Sequence, residues 1–211
     1  TFYNNPNTAE LRGLEIEFSK VLDFTPIEYL KYFTFGANGT YIDASIDRSE
    51  YFVNQYALYF VDESVVPDPN SPIIYTVQPG ETALEASRRM FNQPEWIANA
   101  NLTFNQPEWG TSVTLAYFAI SDILESVGSV GFNRAGSPTR GTTDRYIDSF
   151  HQLDLIITQK YKNWTFKFSA KNITDSTRKL VYDPDLVDSS VPPEREYKVG
   201  RDYSFSASYA W

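Results

Sequence analysis

The sequence predicts an all-β fold, a transmembrane antiparallel β-barrel to which this chain contributes about seven strands. Three observations predict it. Apolar and polar residues alternate with a period of two in seven segments, aromatic rings collect near the ends of those segments, and the connections alternate between short and long. The 211 residues include 15 Tyr, 15 Phe and 4 Trp, although the mean hydropathy is only -0.39. The rings are therefore expected to be sorted onto one face.

Alternation justifies each strand in turn, because successive side chains of a strand point to opposite faces. The segments lie at residues 11–20, 29–43, 96–104, 112–117, 153–158, 164–171 and 202–211. In chain order, their apolar faces carry Leu14, Ile16 and Phe18; Phe33, Phe35, Ala37 and Tyr41; Ala98, Ala100 and Leu102; Val113, Leu115 and Tyr117; Leu153, Leu155 and Ile157; Trp164, Phe166, Phe168 and Ala170; and Tyr203, Phe205, Ala207, Tyr209 and Trp211.

The connections predict how the strands are joined. Residues 21–28, 105–110 and 160–163 are short links suited to hairpins, whereas residues 44–95, 127–142 and 175–194 are long and rich in Asp, Pro, Ser and Gly. A turn centred between Tyr161 and Lys162 would pair Ile157 with Phe166 and set Lys167 diagonal to Asp154. A turn centred between Pro107 and Glu108 would pair Leu102 with Val113.

Two environments could receive the apolar face: lipid around a barrel, or the interior of a secreted carbohydrate-binding β-sandwich. Rings near strand ends favour lipid, since barrels carry aromatic girdles at both membrane interfaces. Trp96 and Phe104 are eight residues apart, which is about 26 Å of strand and about 20 Å when tilted by about 40°. We therefore predict that the following residues face lipid: Phe33, Phe35, Trp96, Phe104, Trp109, Leu115, Trp164, Phe166 and Phe168.

The opposite faces are polar and suit a hydrated lumen. They carry Ser, Thr, Asn, Lys and Glu, whereas the exterior of a sandwich would carry many charges. The residues predicted to face the lumen are Glu15, Glu17, Asn99, Asn101, Asp154, Lys167 and Lys171. Glu15 and Glu17 could resemble a catalytic carboxylate pair, but strand neighbours rather than a cleft surround them, so lumen lining is favoured.

Composition excludes several classes of function. The absence of Cys rules out disulfides, thiol catalysis and Cys-type metal sites, and His151 is a single imidazole. A net charge of -9 with scattered basic residues argues against a nucleic-acid partner. We expect no catalytic residues, no metal and no cofactor, and hence no enzyme.

The last twelve residues, 200–211, resemble the final strand of bacterial outer-membrane barrels, which ends on an aromatic residue that the assembly machinery reads. The resemblance assigns that assembly signal to Tyr203, Phe205, Tyr209 and Trp211; Trp211 stands where Phe is more frequent. In their order along the chain, residues 11–18, 36–43, 93–102, 153–160, 168–175 and 197–203 resemble the C-terminal third of a TonB-dependent outer-membrane receptor of the Bacteroidetes type.

The resemblance implies a 22-stranded barrel in the outer membrane of a Gram-negative bacterium. Residues 1–211 would be its last seven strands, with the plug and the earlier strands absent, and residues 44–95 would be a long extracellular loop. The implied function is uptake of a scarce nutrient such as a siderophore, cobalamin or a glycan. The implied partners are membrane lipid, the remaining barrel and plug, and the TonB complex through that plug. The length of residues 44–95 suggests in addition that this loop folds over the mouth and contacts the ligand or a surface lipoprotein. The alternative is a barrel subunit without transport, in an assembly or secretion complex.

Two further patterns have simpler interpretations. Residues 75–91 resemble the opening of a LysM peptidoglycan-binding module, but its closing half is missing, so a helical turn in an external loop is favoured. Acidic residues in the loops offer oxygen ligands for Ca²⁺ without EF-hand spacing, so solvated surface is favoured. They are Asp43, Asp47, Glu50, Asp62, Glu63, Asp68, Asp183, Asp185 and Asp188.

Overall fold

A computed structural model describes residues 7–24, 26–47, 87–132, 138–183, 187 and 190–211. Its main feature is a wall of seven long antiparallel strands: β1 (Ala9–Val21), β2 (Phe33–Asp47), β4 (Trp96–Gln106), β5 (Thr111–Ile120), β10 (Phe150–Tyr161), β11 (Trp164–Lys171) and β14 (Asp202–Tyr209). These are the seven predicted strands, and they follow one another across the sheet in chain order. The all-β antiparallel prediction is confirmed.

The wall is an open sheet. β1 and β14 are its edge strands, and neither has a second strand partner in the part of the chain that the structure describes. Tight connections lie at one end. A 3₁₀ turn, η1 (Glu28–Tyr32), precedes β2; a second, η2 (Pro107–Trp109), joins β4 to β5; and Lys162 and Asn163 join β10 to β11. We call this the turn end of the wall.

At the opposite end the chain builds a second sheet, of four short strands. These are β6 (Ile123–Ser126), β9 (Arg145–Ile147), β12 (Thr177–Tyr182) and β13 (Arg195–Lys198). Their order, β6-β9-β12-β13, parallels the order β5-β10-β11-β14 in the wall. Each of these four wall strands is thus interrupted and then resumes beside the same neighbours. We call this second sheet the upper sheet.

Two shorter pieces complete the fold. β3 (Ser87–Arg89) pairs with the far end of β2, and β7 (Ser129–Phe132) pairs with β8 (Pro138–Thr142) as a separate hairpin. The loop predicted over residues 44–95 is therefore too long at both ends, since Ala44–Asp47 belong to β2 and Ser87–Arg89 pair with it. Among the residues described, no helix is long and apolar enough to cross a membrane.

The buried apolar core lies mainly around the upper sheet and its junction with the wall. Leu124 is fully buried, and Phe150, Leu180 and Val187 are nearly so. Apart from Phe150 and Gln106, each at an end of its strand, the wall buries only small side chains such as Ala119 and Ala170. A sheet of this length that encloses no core on either face needs another medium for its apolar side chains.

The two predicted hairpin registers are each wrong by two residues. Ile157 pairs with Phe168 instead of Phe166, because the turn is centred between Lys162 and Asn163. Leu102 pairs with Leu115 instead of Val113, because the turn extends to Gly110. A shift of two residues keeps each side chain on its predicted face.

Candidate functional site

The wall separates its side chains into two faces, and directly opposed residues on neighbouring strands lie on the same face, with Lys20 of β1 opposite Phe35. One row on the apolar side runs from Phe35 through Leu102, Leu115, Leu155 and Ala170 to Tyr203. We call this side the ring face. Of the nine residues predicted to face lipid, eight lie in strands on the ring face; Trp109 lies in η2, beside Phe104 at 6.3 Å between ring centroids.

Large apolar side chains on the ring face are exposed to a degree that a folded interior would not permit. Phe35, Leu115 and Phe205 expose 36%, 41% and 70% of their surface, and Phe166 is half-buried. These are side chains that a β-sandwich would enclose in its core. The sandwich interpretation is therefore not supported by the described residues.

Aromatic rings cluster at the turn end of the wall. Phe104 contacts both Phe33 and Trp109, with centroid distances of 5.1 Å and 6.3 Å. Further along, Trp164 packs edge-on against Tyr209 at 5.1 Å, and Tyr209 contacts Trp211 at 5.3 Å. At the other end of the wall, Tyr41 lies opposite Trp96. Aromatic residues at two levels are typical of the two interfaces of a membrane barrel.

The residues of the predicted assembly signal lie on the exposed last strand. Tyr203, Phe205 and Tyr209 belong to β14 on the ring face, and Trp211 follows it, fully exposed. Phe205 stacks against Phe166 at 6.3 Å, and Tyr203 stacks against Phe168 at 6.5 Å. Their role in assembly stays a prediction.

The opposite face, which we call the polar face, holds the seven residues predicted to face the lumen. Its hydroxyls and amides pair across strands. Asn99 Nδ2 donates to Asn38 Oδ1 at 2.8 Å, and the hydroxyls of Thr103 and Thr114 are 3.1 Å apart. Gly36 permits close approach here, because a Cβ would lie 2.8 Å from Asn101 Nδ2. These contacts make a surface of hydrogen-bonding groups, suited to contact with water or a polar solute.

Charged groups on the polar face are spread along the strands. Glu15 lies opposite Thr40, and Glu17 lies opposite Asn38. The predicted diagonal contact between Lys167 and Asp154 is wrong, because Lys167 lies opposite Thr158. It rested on the hairpin register that the turn geometry shifts by two residues. Lys171 lies opposite Asp202 at the far end of β11.

Asp154 instead belongs to a hydrogen-bonded junction that sequence reasoning missed. Its carboxylate accepts from Gln152 Nε2 and from the backbone N–H of Asn172, at 2.9 Å and 2.8 Å. Asn172, buried and left-handed with φ 52°, donates from Nδ2 to the Gly200 carbonyl at 2.7 Å and accepts from the Ser176 N–H at 3.0 Å. Asn is one of the few residues that tolerates this conformation. The junction fixes where β11 ends and the upper sheet begins.

An ion pair stiffens the same junction outside the wall. Lys198 Nζ donates to Asp175 Oδ2 at 3.0 Å, and this hydrogen bond lowers the pKa of the Asp175 carboxyl. In η1 at the other end, the Glu28 carboxylate accepts from Lys31 Nζ at 3.1 Å and raises the pKa of Lys31. Both pairs are exposed, so they contribute little to stability.

Hydrogen bonds and ion pairs of Arg89 hold β3 against the wall. Arg89 Nη1 donates to the Asp122 carboxylate at 2.6 Å, Nη2 donates to the Asp122 carbonyl at 2.8 Å, and Nε lies 3.2 Å from Glu95. Arg89 also borders a cavity, together with Tyr41 and Pro94. Arg89 therefore anchors the chain where it re-enters the sheet.

Several predictions lie outside the described residues. They include most of the long loop, namely residues 48–86, and with it most of the LysM-like segment. The acidic loop residues affected are Glu50, Asp62, Glu63, Asp68, Asp185 and Asp188. Within the described ranges, no group of three or more His, Asp or Glu residues could hold a metal ion.

Comparison with known proteins gives one match. The family model described as TonB dependent receptor-like, beta-barrel, matches residues 1–173. The searches of curated proteins and of solved structures return no significant match.

Proposed function

Because the chain belongs to the TonB dependent receptor-like β-barrel family, we propose that it forms part of the barrel wall of a receptor that imports a scarce nutrient, such as a siderophore, cobalamin or a glycan. The family is one of outer-membrane proteins in Gram-negative bacteria, and we propose that location for this chain. The observation that carries the proposal is that large aromatic and aliphatic side chains gather on the ring face of all seven strands, whereas Asn, Thr, Ser and charged side chains predominate on the polar face.

The physical argument follows from the solvent on each side. Apolar side chains at 36–70% exposure are stable where acyl chains surround them, and aromatic rings favour the interfaces. The polar face then borders a hydrated lumen, through which a solute can pass along hydroxyls and amides without desolvating a charge.

The open edges argue for further partners. Backbone groups along the outer edges of β1 and β14 would be unsatisfied in lipid, so a membrane wall must continue on both sides. We propose that the remaining barrel strands supply those partners, that a plug fills the lumen, and that TonB acts through the plug. A surface lipoprotein at the long loop is a further proposed partner.

We also propose that the chain transports rather than catalyses. Glu15 and Glu17 project from the edge strand β1, with Thr40 and Asn38 opposite them. General acid–base chemistry needs a carboxylate within hydrogen-bond reach of the reacting group, as in a cleft. The positions of Glu15 and Glu17 therefore support a role in lining the path of a transported solute.

Energised uptake tests the proposal. A bacterial strain that makes the full protein and its deletion strain are compared for uptake of a ferric siderophore, cobalamin and an oligosaccharide, each with and without a proton uncoupler. We expect deletion to abolish the uncoupler-sensitive uptake of one class and the intact gene to restore it. Unchanged uptake of all three classes, with loss of another outer-membrane protein, would instead support the assembly or secretion alternative.

A further inference from the structure

A cavity of ≈ 260 Å³ in the upper sheet is bordered by two arginines that make no ion pair with a carboxylate among the described residues. Lys179 borders it, and its other lining residues are Glu125, Ile147, Arg178, Leu180, Arg195 and Tyr197. Arg178 lies opposite Tyr197, and Arg195 lies opposite Leu180, so the two arginines are diagonal neighbours on one face of β12 and β13. Long side chains in diagonal positions can reach a common point.

Neither arginine makes an ion pair with any carboxylate among the described residues, although Glu125 borders the same cavity. Their neighbours differ: Arg145 makes a two-pronged contact with Glu194, with both distances 2.9 Å, and Lys198 pairs with Asp175. In a chain with a net charge of -9, two guanidinium groups without a carboxylate partner in one concave surface form a local excess of positive charge.

Arg178, which borders the cavity, lies against the polar face of the wall. Phe150, Gln152 and Asp154 alternate along β10, which places Phe150 on the polar face. The Arg178 guanidinium lies 3.7 Å from the centroid of the Phe150 ring. Stacking on this ring orients the guanidinium plane and leaves its N–H edges available for an acceptor.

We propose that Arg178 and Arg195, with the Tyr197 hydroxyl, form a subsite for an oxyanion, a carboxylate or phosphate group carried by the incoming solute at the mouth of the lumen. Paired guanidinium donors match the geometry of such groups. The inference rests on the proposed function, because the lumen assignment makes a passing solute, rather than a lipid headgroup, the occupant. It adds that the solute is anionic.

Residue-specific protection from phenylglyoxal tests the subsite in the purified full protein in detergent. Modification of each arginine is followed by mass spectrometry with inorganic phosphate or with NaCl of equal ionic strength. We expect phosphate to slow modification of Arg178 and Arg195 saturably. It should leave unchanged the modification of Arg12, which is exposed and distant in the sheet order.

Variants show whether one site is shared. Arg178→Gln should raise the phosphate concentration that protects Arg195 by roughly tenfold or more, as expected for loss of a charged hydrogen-bond donor. Arg195→Gln should do the same for Arg178, and it lies on an exposed strand where folding tolerates change. Glu125→Gln serves as the matched control in the same cavity and should not weaken protection.

Two outcomes overturn the proposal. Equal effects of phosphate and NaCl would show that no oxyanion site exists. Protection by vesicles containing lipopolysaccharide, but not by soluble phosphate or by phosphatidylcholine vesicles, would assign the arginines to a lipid headgroup. Either result leaves the uptake experiment standing, because binding here is measured without transport.

Discussion

Leu115 lies near the middle of β5 on the ring face, so placing an arginine there tests whether this face contacts lipid. β5 runs from Thr111 to Ile120, with Leu115 four residues from one end and five from the other. At about 3.4 Å per residue and a tilt of about 40°, Leu115 lies roughly 10–13 Å from either end of the strand along the membrane normal. That position is close to the middle of an apolar band of about 25 Å.

Arginine on the lipid face costs about 2–4 kcal/mol at the bilayer midplane. We therefore expect Leu115→Arg to destabilise the folded protein by about that amount, at least about a thirtyfold change in the folded-to-unfolded ratio. The matched control is Ala116→Arg. Ala116 lies on the polar face between Asn101 and Asp154, where the new charge meets water and a carboxylate, and its cost should stay below about 1 kcal/mol.

The assay is guanidinium unfolding of the full protein in phospholipid vesicles, with heat-dependent gel mobility as a second measure of folding. A neutral Leu115→Arg, or equal costs for Leu115→Arg and Ala116→Arg, would refute the assignment of the two faces. A larger cost for Ala116→Arg would show that the faces are reversed.

Three further expectations concern the turn end, the junction and the last strand. Gly110→Ala should destabilise the folded protein by about 1–3 kcal/mol, because Gly110 has φ 65° and a Cβ would lie 2.5 Å from the backbone oxygen of Lys160. Gly39→Ala, whose Cβ would meet nothing closer than 3.9 Å, is the control in the same unfolding assay. Because the pKa of Asp175 is lowered in the folded protein, its contact with Lys198 stabilises the fold above the unfolded pKa of 3.8, and this contribution is lost as the pH falls through the lower folded pKa. The small difference in stability between the native protein and Lys198→Met should therefore vanish in acid. A difference that persists or grows in acid would contradict the pairing. Trp211→Ala should reduce the amount of protein assembled in the outer membrane without lowering the unfolding midpoint of what assembles, since Trp211 is fully exposed and its ring contact in the described chain is with the exposed Tyr209. Normal assembled amounts would remove Trp211 from the signal.

The strands and their faces could be predicted from the sequence, because residues at alternate positions of a strand lie on opposite faces whatever their partners are. Moving a turn centre by one residue moves every strand partner by two, so Ile157 and Leu102 kept their faces although their partners changed. The alternation of Phe166 and Lys167 is likewise unaffected by the register.

Register itself depends on backbone conformations that hydrophobicity does not report. Lys162 adopts φ 53° at the β10–β11 turn, where a Gly or Asn would have been the usual signal. At the β4–β5 turn, Gln106 accepts from the Glu108 N–H and Gly110 closes the 3₁₀ turn. Gly110 was the usable signal there, since a left-handed position favours glycine.

The upper sheet was beyond prediction for a different reason. β6, β9 and β13 contain only three or four residues each, which is too short for periodicity to show. Their pairing depends on contacts between distant segments, such as Leu180 opposite Ile147. The sequence shows Asn172 only as a polar residue at the end of an alternating strand. Its hydrogen bonds to Gly200 and Ser176 depend on the folded chain.

The most direct test of the lipid and lumen assignment is cysteine accessibility along β4 in the membrane-embedded full protein. The chain contains no cysteine of its own, so Asn101→Cys, Leu102→Cys and Thr103→Cys each report one adjacent position. A water-soluble, membrane-impermeant thiol reagent should label Asn101→Cys and Thr103→Cys but spare Leu102→Cys, which a lipid-soluble maleimide should label instead. Aqueous labelling of Leu102→Cys together with protection of Asn101→Cys and Thr103→Cys would contradict the account.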